Sequence, residues 1–161
     1  MRILALSDSH IPVNAKNLPT RLLKEIEKAD LLLHAGDFVS IDLLEGLKGL
    51  CKLKAVYGNM DSLEVRQVLP EKEIITVGKF KIGLIHGWGA PKTLIDAIKA
   101  KFIKDSPDII IFGHSHLPEN TVIDGVTYFN PGSPTDKIFS PYNSFGIIEV
   151  EDTIKTKIVK L

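Results

Sequence analysis

Cysteine is almost absent from this sequence, with Cys51 alone among 161 residues. A lone cysteine cannot form an internal disulfide, and we expect Cys51 to be a small buried hydrophobic side chain. No run approaches the ~20 apolar residues that a membrane-spanning helix needs. A signal peptide is not apparent either, because the opening apolar run, Ile3 to Leu6, is short and leads into polar residues. These absences predict a cytoplasmic protein that does not associate with membranes.

The sequence also lacks an excess of charge, since 20 Lys and Arg residues balance 20 Asp and Glu residues. A nucleic-acid-binding protein is expected to have a basic surplus, so the composition does not indicate nucleic acid as a partner. A neutral chain can still bind a phosphate group if a bound metal ion supplies the positive charge. The length fits one domain, 1–161, and a hydrophobic fraction of 44% is ordinary for a globular protein.

What the sequence does contain is an alternation of strand-like and helix-like segments over its first two thirds, followed by hairpins. Short apolar runs predict buried strands, and apolar residues at helical spacing predict the helices between them. We therefore expect an α/β fold in which two mixed sheets form the core with helices outside. The predicted strands are 2–7, 31–33, 53–57, 73–77, 81–85, 109–112, 121–123, 126–129, 145–150 and 153–159, and the predicted helices are one carrying Leu18 to Ile26, one after Ser40, one from Ser62 to Leu69 and one starting at Pro91.

Side chains that can bind metal follow five of the predicted strands, at the point where each strand ends. Strand ends are where α/β sheets build their sites, and imidazole is the commonest metal ligand. One ion rarely takes seven side chains when four are imidazoles, whereas two ions that share a carboxylate would use them all. The seven donors are Asp8, His10, Asp37, Asn59, His86, His114 and His116.

The donors lie in an ordered series of motifs, D-x-H, G-D, G-N-x-D, H-G and G-H-x-H. This series resembles the calcineurin-like metallophosphoesterase superfamily, and the N-P-G-S stretch that ends at Ser133 is similar to its compact phosphodiesterase branch. The resemblance implies a four-layer αββα sandwich with a dinuclear metal site. The branch also includes a retromer subunit that has lost part of its metal site and serves as a scaffold. A protein-interaction scaffold is therefore the alternative to an enzyme.

The resemblance also implies how the donors are shared, with a hydroxide between the two ions attacking the phosphorus of a small phosphodiester. Asn59, His86 and His114 would act at the reacting group. Mixed imidazole and carboxylate donors suit Mn, Fe, Co, Ni or Zn better than Mg or Ca. The implied first set is Asp8, His10, Asp37 and His116, and the implied second set is Asp37, Asn59, His86 and His114, with Asp37 in both.

One position departs from the family pattern. Many members have His where this chain has Met60, and that His is thought to protonate the leaving group. A thioether cannot donate a proton, so we expect aryl esters, which have good leaving groups, to be hydrolysed faster than alkyl esters.

For several other residues the sequence allows two interpretations of their role. Asp61 could cap the helix that follows it or orient an imidazole. Trp88 could line a substrate pocket or a subunit interface, and the loop 136–142 could be a lid or a contact within a homo-oligomer. His34 is expected to pack or to support the site without binding metal, and the stretch 130–133 could be a simple turn or reach the rim of the site.

Overall fold

The computed structural model describes all residues, 1–161, and contains ten strands and four α-helices. Every predicted strand is present, and each end lies within two residues of its predicted position. The strands are β1 Arg2–Leu6, β2 Leu31–His34, β3 Leu53–Ala55, β4 Lys72–Val77, β5 Phe80–Ile85, β6 Ile109–Ile111, β7 Glu119–Ile123, β8 Val126–Asn130, β9 Ser144–Val150 and β10 Ile154–Lys160. The helices are α1 Thr20–Ile26, α2 Ile41–Leu50, α3 Leu63–Val68 and α4 Leu94–Phe102, the last preceded by a short 3-10 helix at Pro91–Thr93.

The strands form two five-stranded sheets, with the orders β10-β9-β1-β2-β3 and β4-β5-β6-β8-β7. In the first sheet β1, β2 and β3 run parallel, and in the second β5, β6 and β8 do so. The outer strands pair antiparallel. Both sheets are therefore mixed, as predicted, and each has a parallel centre whose strands end at one common edge.

Three apolar clusters separate four layers. Because side chains alternate between the faces of a strand, Ile3 of β1 and Ile109 of β6 point into the cluster between the sheets. Their neighbours point outward: Leu4 packs among the apolar residues of α1 and α2, and Ile110 packs among those of α4. This is the expected αββα sandwich.

The helix boundaries and Cys51 refine the sequence-based predictions. Ser40 caps α2, and Ser62 caps α3 through the Val65 N–H. Asp61 is therefore not the cap of α3. Cys51 is only half-buried and its thiol donates to the Ala29 carbonyl oxygen, so the prediction of a buried hydrophobic side chain is wrong in degree. No helix is long and apolar enough to cross a membrane.

Candidate metal centre

The loops after β1, β2, β3, β5 and β6 meet where the carboxyl ends of the two parallel sheet centres face each other. All seven predicted donors come together there. Asp37 lies in the middle, since its Oδ2 is 3.5 Å from His10 Nε2 and 3.4 Å from His86 Nε2. Its other oxygen, Oδ1, accepts a hydrogen bond from the Met60 N–H at 2.7 Å. Only Oδ2 of Asp37 therefore faces both sides of the centre.

On one side of Asp37 lies the inner half, which we define as Asp8, His10 and His116. His116 Nε2 is 3.2 Å from His10 Nε2 and 3.5 Å from Asp8 Oδ1. The Asp8 side chain is fully buried and His10 is nearly so. These three side chains could together hold one metal ion.

On the other side lies the outer half, which we define as Asn59, His86 and His114. Asn59 Oδ1 is 3.1 Å from His86 Nε2 and 3.1 Å from His114 Nδ1. His86 is buried, but Asn59 is exposed and His114 is partly exposed. The outer half is thus the side on which a ligand from solvent can reach the centre.

Three of the four imidazoles are oriented by a hydrogen bond on the side away from the centre. His86 Nδ1 lies 2.7 Å from the Ala35 carbonyl oxygen, and His114 Nε2 lies 3.0 Å from that of Gly89. His116 Nδ1 lies 2.7 Å from Asp136 Oδ2. Because each of these nitrogens donates its proton to an oxygen, the other ring nitrogen is left to face the centre. Metal-binding histidines are typically oriented in this way.

Five of the seven donors have a backbone in the left-handed region, which non-glycine residues rarely adopt. Each such residue costs on the order of 1 kcal/mol, and it persists only where surrounding contacts enforce it. The strain is concentrated at this centre. The φ angles are 53° at Asp8, 41° at His10, 59° at Asp37, 71° at His114 and 59° at His116.

Two glycines allow the loops to approach closely enough. Gly36, with φ of +92°, packs against the loop that follows β3. A Cβ on Gly36 would lie 2.7 Å from the Gly58 nitrogen. A Cβ on Gly113 would lie 2.7 Å from Asp8 Oδ2. A larger residue at either position would push the donor loops apart.

Asp61 ties two of these loops together. Its Oδ2 accepts hydrogen bonds from the backbone N–H groups of Asp37 and Gly58, at 3.0 and 2.8 Å, and its Oδ1 accepts one from Val39 at 2.7 Å. Asp61 therefore neither caps α3 nor orients an imidazole, and both predicted interpretations are wrong. The carboxylate instead fixes the backbone on either side of Asp37.

The segment that begins at Ser133 supports the inner half, and it includes Asp136, a supporting residue that the sequence motifs did not single out. The Ser133 hydroxyl donates to the Asp8 carbonyl oxygen at 2.7 Å, and the Thr135 hydroxyl donates to that of Ser9 at 2.8 Å. Asp136 orients His116 and also accepts backbone N–H groups of the loop that follows it. The only feature of the sequence that could have pointed to Asp136 is its position, three residues after the N-P-G-S stretch. The stretch 130–133 is therefore part of the support of the site, not a simple turn.

His34 supports the same region from the core, as expected. It is fully buried, stacks on Phe38, and accepts the Gly36 N–H at Nδ1, so that Nε2 donates to the Ser9 hydroxyl 2.8 Å away. Burial lowers the pKa of His34 to about 3, so the ring is neutral. His34 links the loop of Asp8 and His10 to the loop of Asp37.

The buried carboxylates favour positive charge at the centre. Burial alone would lower the pKa of His86, but the hydrogen bond to Asp37 and the charge of Asp8 raise it to about 9. Burial also acts to raise the pKa of the Asp37 carboxyl, yet the hydrogen bond from His86 and the nearby imidazoles bring it below its ordinary value. Burial lowers the pKa of His10 despite Asp37 and Asp8. The two carboxylates thus favour positive charge beside them, and the donor set fits a metal ion.

Taken together, the αββα sandwich and the Asp/His cluster at its strand ends define a metallophosphoesterase-type protein. Residues 1–153 match the calcineurin-like phosphoesterase superfamily domain. A probable metallophosphoesterase of Methanocaldococcus jannaschii is 35% identical over 163 residues, which cover 100% of this chain and 82% of that protein. The chain belongs to the calcineurin-like phosphoesterase superfamily.

Solved structures agree with this assignment. A Thermotoga maritima protein determined by NMR in solution superposes with a TM-score of 0.79 at 34% identity and covers 99% of both chains. Vacuolar protein sorting 29 (Vps29) of Entamoeba histolytica, in complex with zinc, superposes with a TM-score of 0.78 at 27% identity, also over 99% of both chains. Membership of the family supports a phosphoesterase function that depends on divalent metal ions.

Proposed function

We propose that this protein is a phosphodiesterase whose centre holds two divalent metal ions. One observation carries the proposal: three imidazoles each donate one ring N–H to an oxygen and turn the other nitrogen toward the centre shared with Asp37. The inner half with Asp37 would hold the first ion, and the outer half with Asp37 would hold the second. The ligands would be Asp8, His10, Asp37 and His116 for the first, and Asp37, Asn59, His86 and His114 for the second.

The chemistry follows from this arrangement. When bound, two such ions would supply a hydroxide nucleophile for the phosphorus and positive charge for the phosphoryl oxygens. Asp37 Oδ2 lies 3.5 Å from His10 Nε2 and 3.4 Å from His86 Nε2, closer to both imidazoles than Asp8 Oδ1, and we propose it as the shared ligand. Asn59 and His114 stand on the exposed side, where the phosphoester would enter, while buried His86 lies behind them.

Transition metals suit this centre better than magnesium or calcium, because four of its donors are imidazoles. We propose Mn, Ni, Co, Fe or Zn. The zinc complex of Entamoeba Vps29 supports a metal site in a protein of this fold.

The test is metal content together with metal-restored hydrolysis of bis(4-nitrophenyl) phosphate, for the wild type and for Asp37→Asn. We expect about two ions per wild-type chain, activity that a chelator abolishes and Mn, Ni, Co or Zn restores, and a loss of more than about 100-fold in the variant, beyond the range for residues that only support a ligand. Asp152→Asn is the matched control, since it makes the same chemical change at an exposed turn. 4-Nitrophenyl phosphate, a monoester, should be hydrolysed more slowly than the diester.

A well-folded protein that binds no metal and hydrolyses no ester with any of these ions would contradict the proposal. It would favour the second candidate, an interaction scaffold, which the similarity to Vps29 brings into consideration. The full set of seven converging donors is the reason we place the enzyme first.

A further inference from the structure

A cavity of about 340 Å³ opens beside the outer half of the metal centre. Asn59 and His86 belong to its lining, so the cavity is continuous with the proposed position of the second ion. Tyr57, Arg66 and Trp88 line it as well. Its volume lies at the lower end of the range for small-molecule sites, roughly 300–1,000 Å³, which is enough for a group of one or two rings.

Trp88 is held at this cavity by a charged pair. The Lys101 ammonium lies 5.1 Å from the centre of the indole and 3.4 Å from Glu71 Oε1. Lys101 is not part of the cavity lining, so it packs against the indole without filling the cavity. The indole remains 42% exposed and offers a flat apolar surface to a ligand.

Arg66 and Tyr57 form a second stacked pair in the lining. The guanidinium carbon of Arg66 lies 5.7 Å from the centre of the Tyr57 ring. Its Nε and Nη2 donate to the carbonyl oxygens of Asp61 and Asn59, at 2.9 and 2.5 Å. Arg66 is therefore fixed to the loop that carries Asn59. The guanidinium thus forms part of the wall beside the Tyr57 ring and presents its plane, together with the ring, to the cavity.

We infer that this cavity binds a flat aromatic group, either an aryl ring or a nucleobase, which is esterified to the phosphate at the metal centre. The ring would stack against Trp88, because indole and phenol rings and guanidinium planes all favour contact with an aromatic face. A small alkyl group would leave most of this surface uncovered. The inference rests on the proposed function for the phosphoester and adds the class of its organic group.

The test is binding to the chelator-treated full-length protein, in which no hydrolysis occurs. Trp88 is the only tryptophan of the chain, so its fluorescence reports occupancy of the cavity directly. The ligands are adenosine 5′-monophosphate and phenyl phosphate, with ribose 5-phosphate and methyl phosphate as the ring-free counterparts. We expect a saturable change in emission with the first two and affinities at least about fivefold tighter than those of their counterparts. Tighter binding of the nucleotide than of phenyl phosphate would indicate a nucleobase, and the reverse order an aryl group.

Calorimetry on two variants supplies the control. Trp88→Leu should lose the preference for ring-bearing phosphates, whereas Phe139→Leu should keep it, because Phe139 is 70% exposed and does not line the cavity. Equal affinity for ring-bearing and ring-free phosphates, or a preference that survives Trp88→Leu, would overturn the inference. A protein that prefers rings but hydrolyses no ester with any metal would instead overturn only the proposed function.

Discussion

The two halves of the metal centre are built differently. In the inner half, Asp8 and His10 are buried, and hydroxyl and carboxylate side chains, those of Ser133 and Asp136, hold the loop of Asp8 and the ring of His116. In the outer half, the backing oxygens are backbone carbonyls, and Asn59 and His114 are open to solvent. This difference indicates that the inner half is pre-organised to retain a cation. The outer half is accessible to a substrate and adjoins the cavity.

The largest effects should come from removing one imidazole from each half. We expect His116→Ala and His114→Ala each to lower the hydrolysis of an aryl diester by more than about 100-fold, because both remove a proposed ligand. The metal content should differ: after dialysis His114→Ala should retain about one ion in the intact inner half, and His116→Ala clearly less. Metal analysis at matched free-metal concentrations checks this. Equal retention in the two variants would remove the distinction between the halves.

Asp136 sharpens the comparison, since it supports only the inner half. Asp136→Asn keeps an oxygen for the backbone N–H groups of the following loop but replaces the carboxylate that accepts the His116 Nδ1–H. Metal affinity should fall by about 10–100-fold, the range typical of residues that orient a ligand. A competition titration against a chromophoric chelator measures this affinity, with Asp152→Asn as the control. An unchanged affinity with a lowered melting temperature would show that Asp136 serves only the loop.

The donors could be predicted from the sequence because each follows a short, buried strand, and parallel strands bring their ends to one edge. The residues that support these donors could not be predicted in this way. Asp136 contacts His116 across 20 positions, and Asp61 reaches the backbone of Asp37 across 24, and neither contact has a local pattern. Asp61 in particular stands beside a helix start, where a cap is the usual role of its residue type, but the adjacent Ser62 takes that role. The role of Asp61 therefore depends on its tertiary contacts, which the helix-capping propensity of its residue type does not reveal.

Met60 offers a test of the outer half. Its side chain is exposed, and its backbone N–H is hydrogen-bonded to Asp37 Oδ1, so position 60 lies beside the centre on the open side. In Met60→His, an imidazole could protonate a poor leaving group, and we expect hydrolysis of alkyl diesters to rise by about tenfold, below the full range for a well-placed general acid. Aryl diesters, whose leaving groups need no proton, should change little. The ratio of the two rates is the measurement, and an equal change in both would argue against a role in proton transfer.

The smallest effect concerns His34, which supports the inner half from the core through Ser9. Its pKa is about 3 in the folded protein, because it is buried, and about 6.5 in the unfolded chain. Between these values the unfolded chain binds a proton that the folded protein does not. Stability is therefore lost as the pH falls below 6.5, by about 1.4 kcal/mol per pH unit from this residue.

In His34→Gln the amide can still donate to the Ser9 hydroxyl, but it does not titrate. We expect the variant to be less stable near neutral pH and to lose stability less steeply between pH 6.5 and 5. Urea unfolding of the chelated proteins across this range gives both slopes, and the other histidines, common to both proteins, cancel in the difference. Parallel slopes would mean that His34 becomes protonated within the fold. The Gly36 N–H would then lose His34 Nδ1 as its acceptor, and the inner half would be less rigidly built than its contacts indicate.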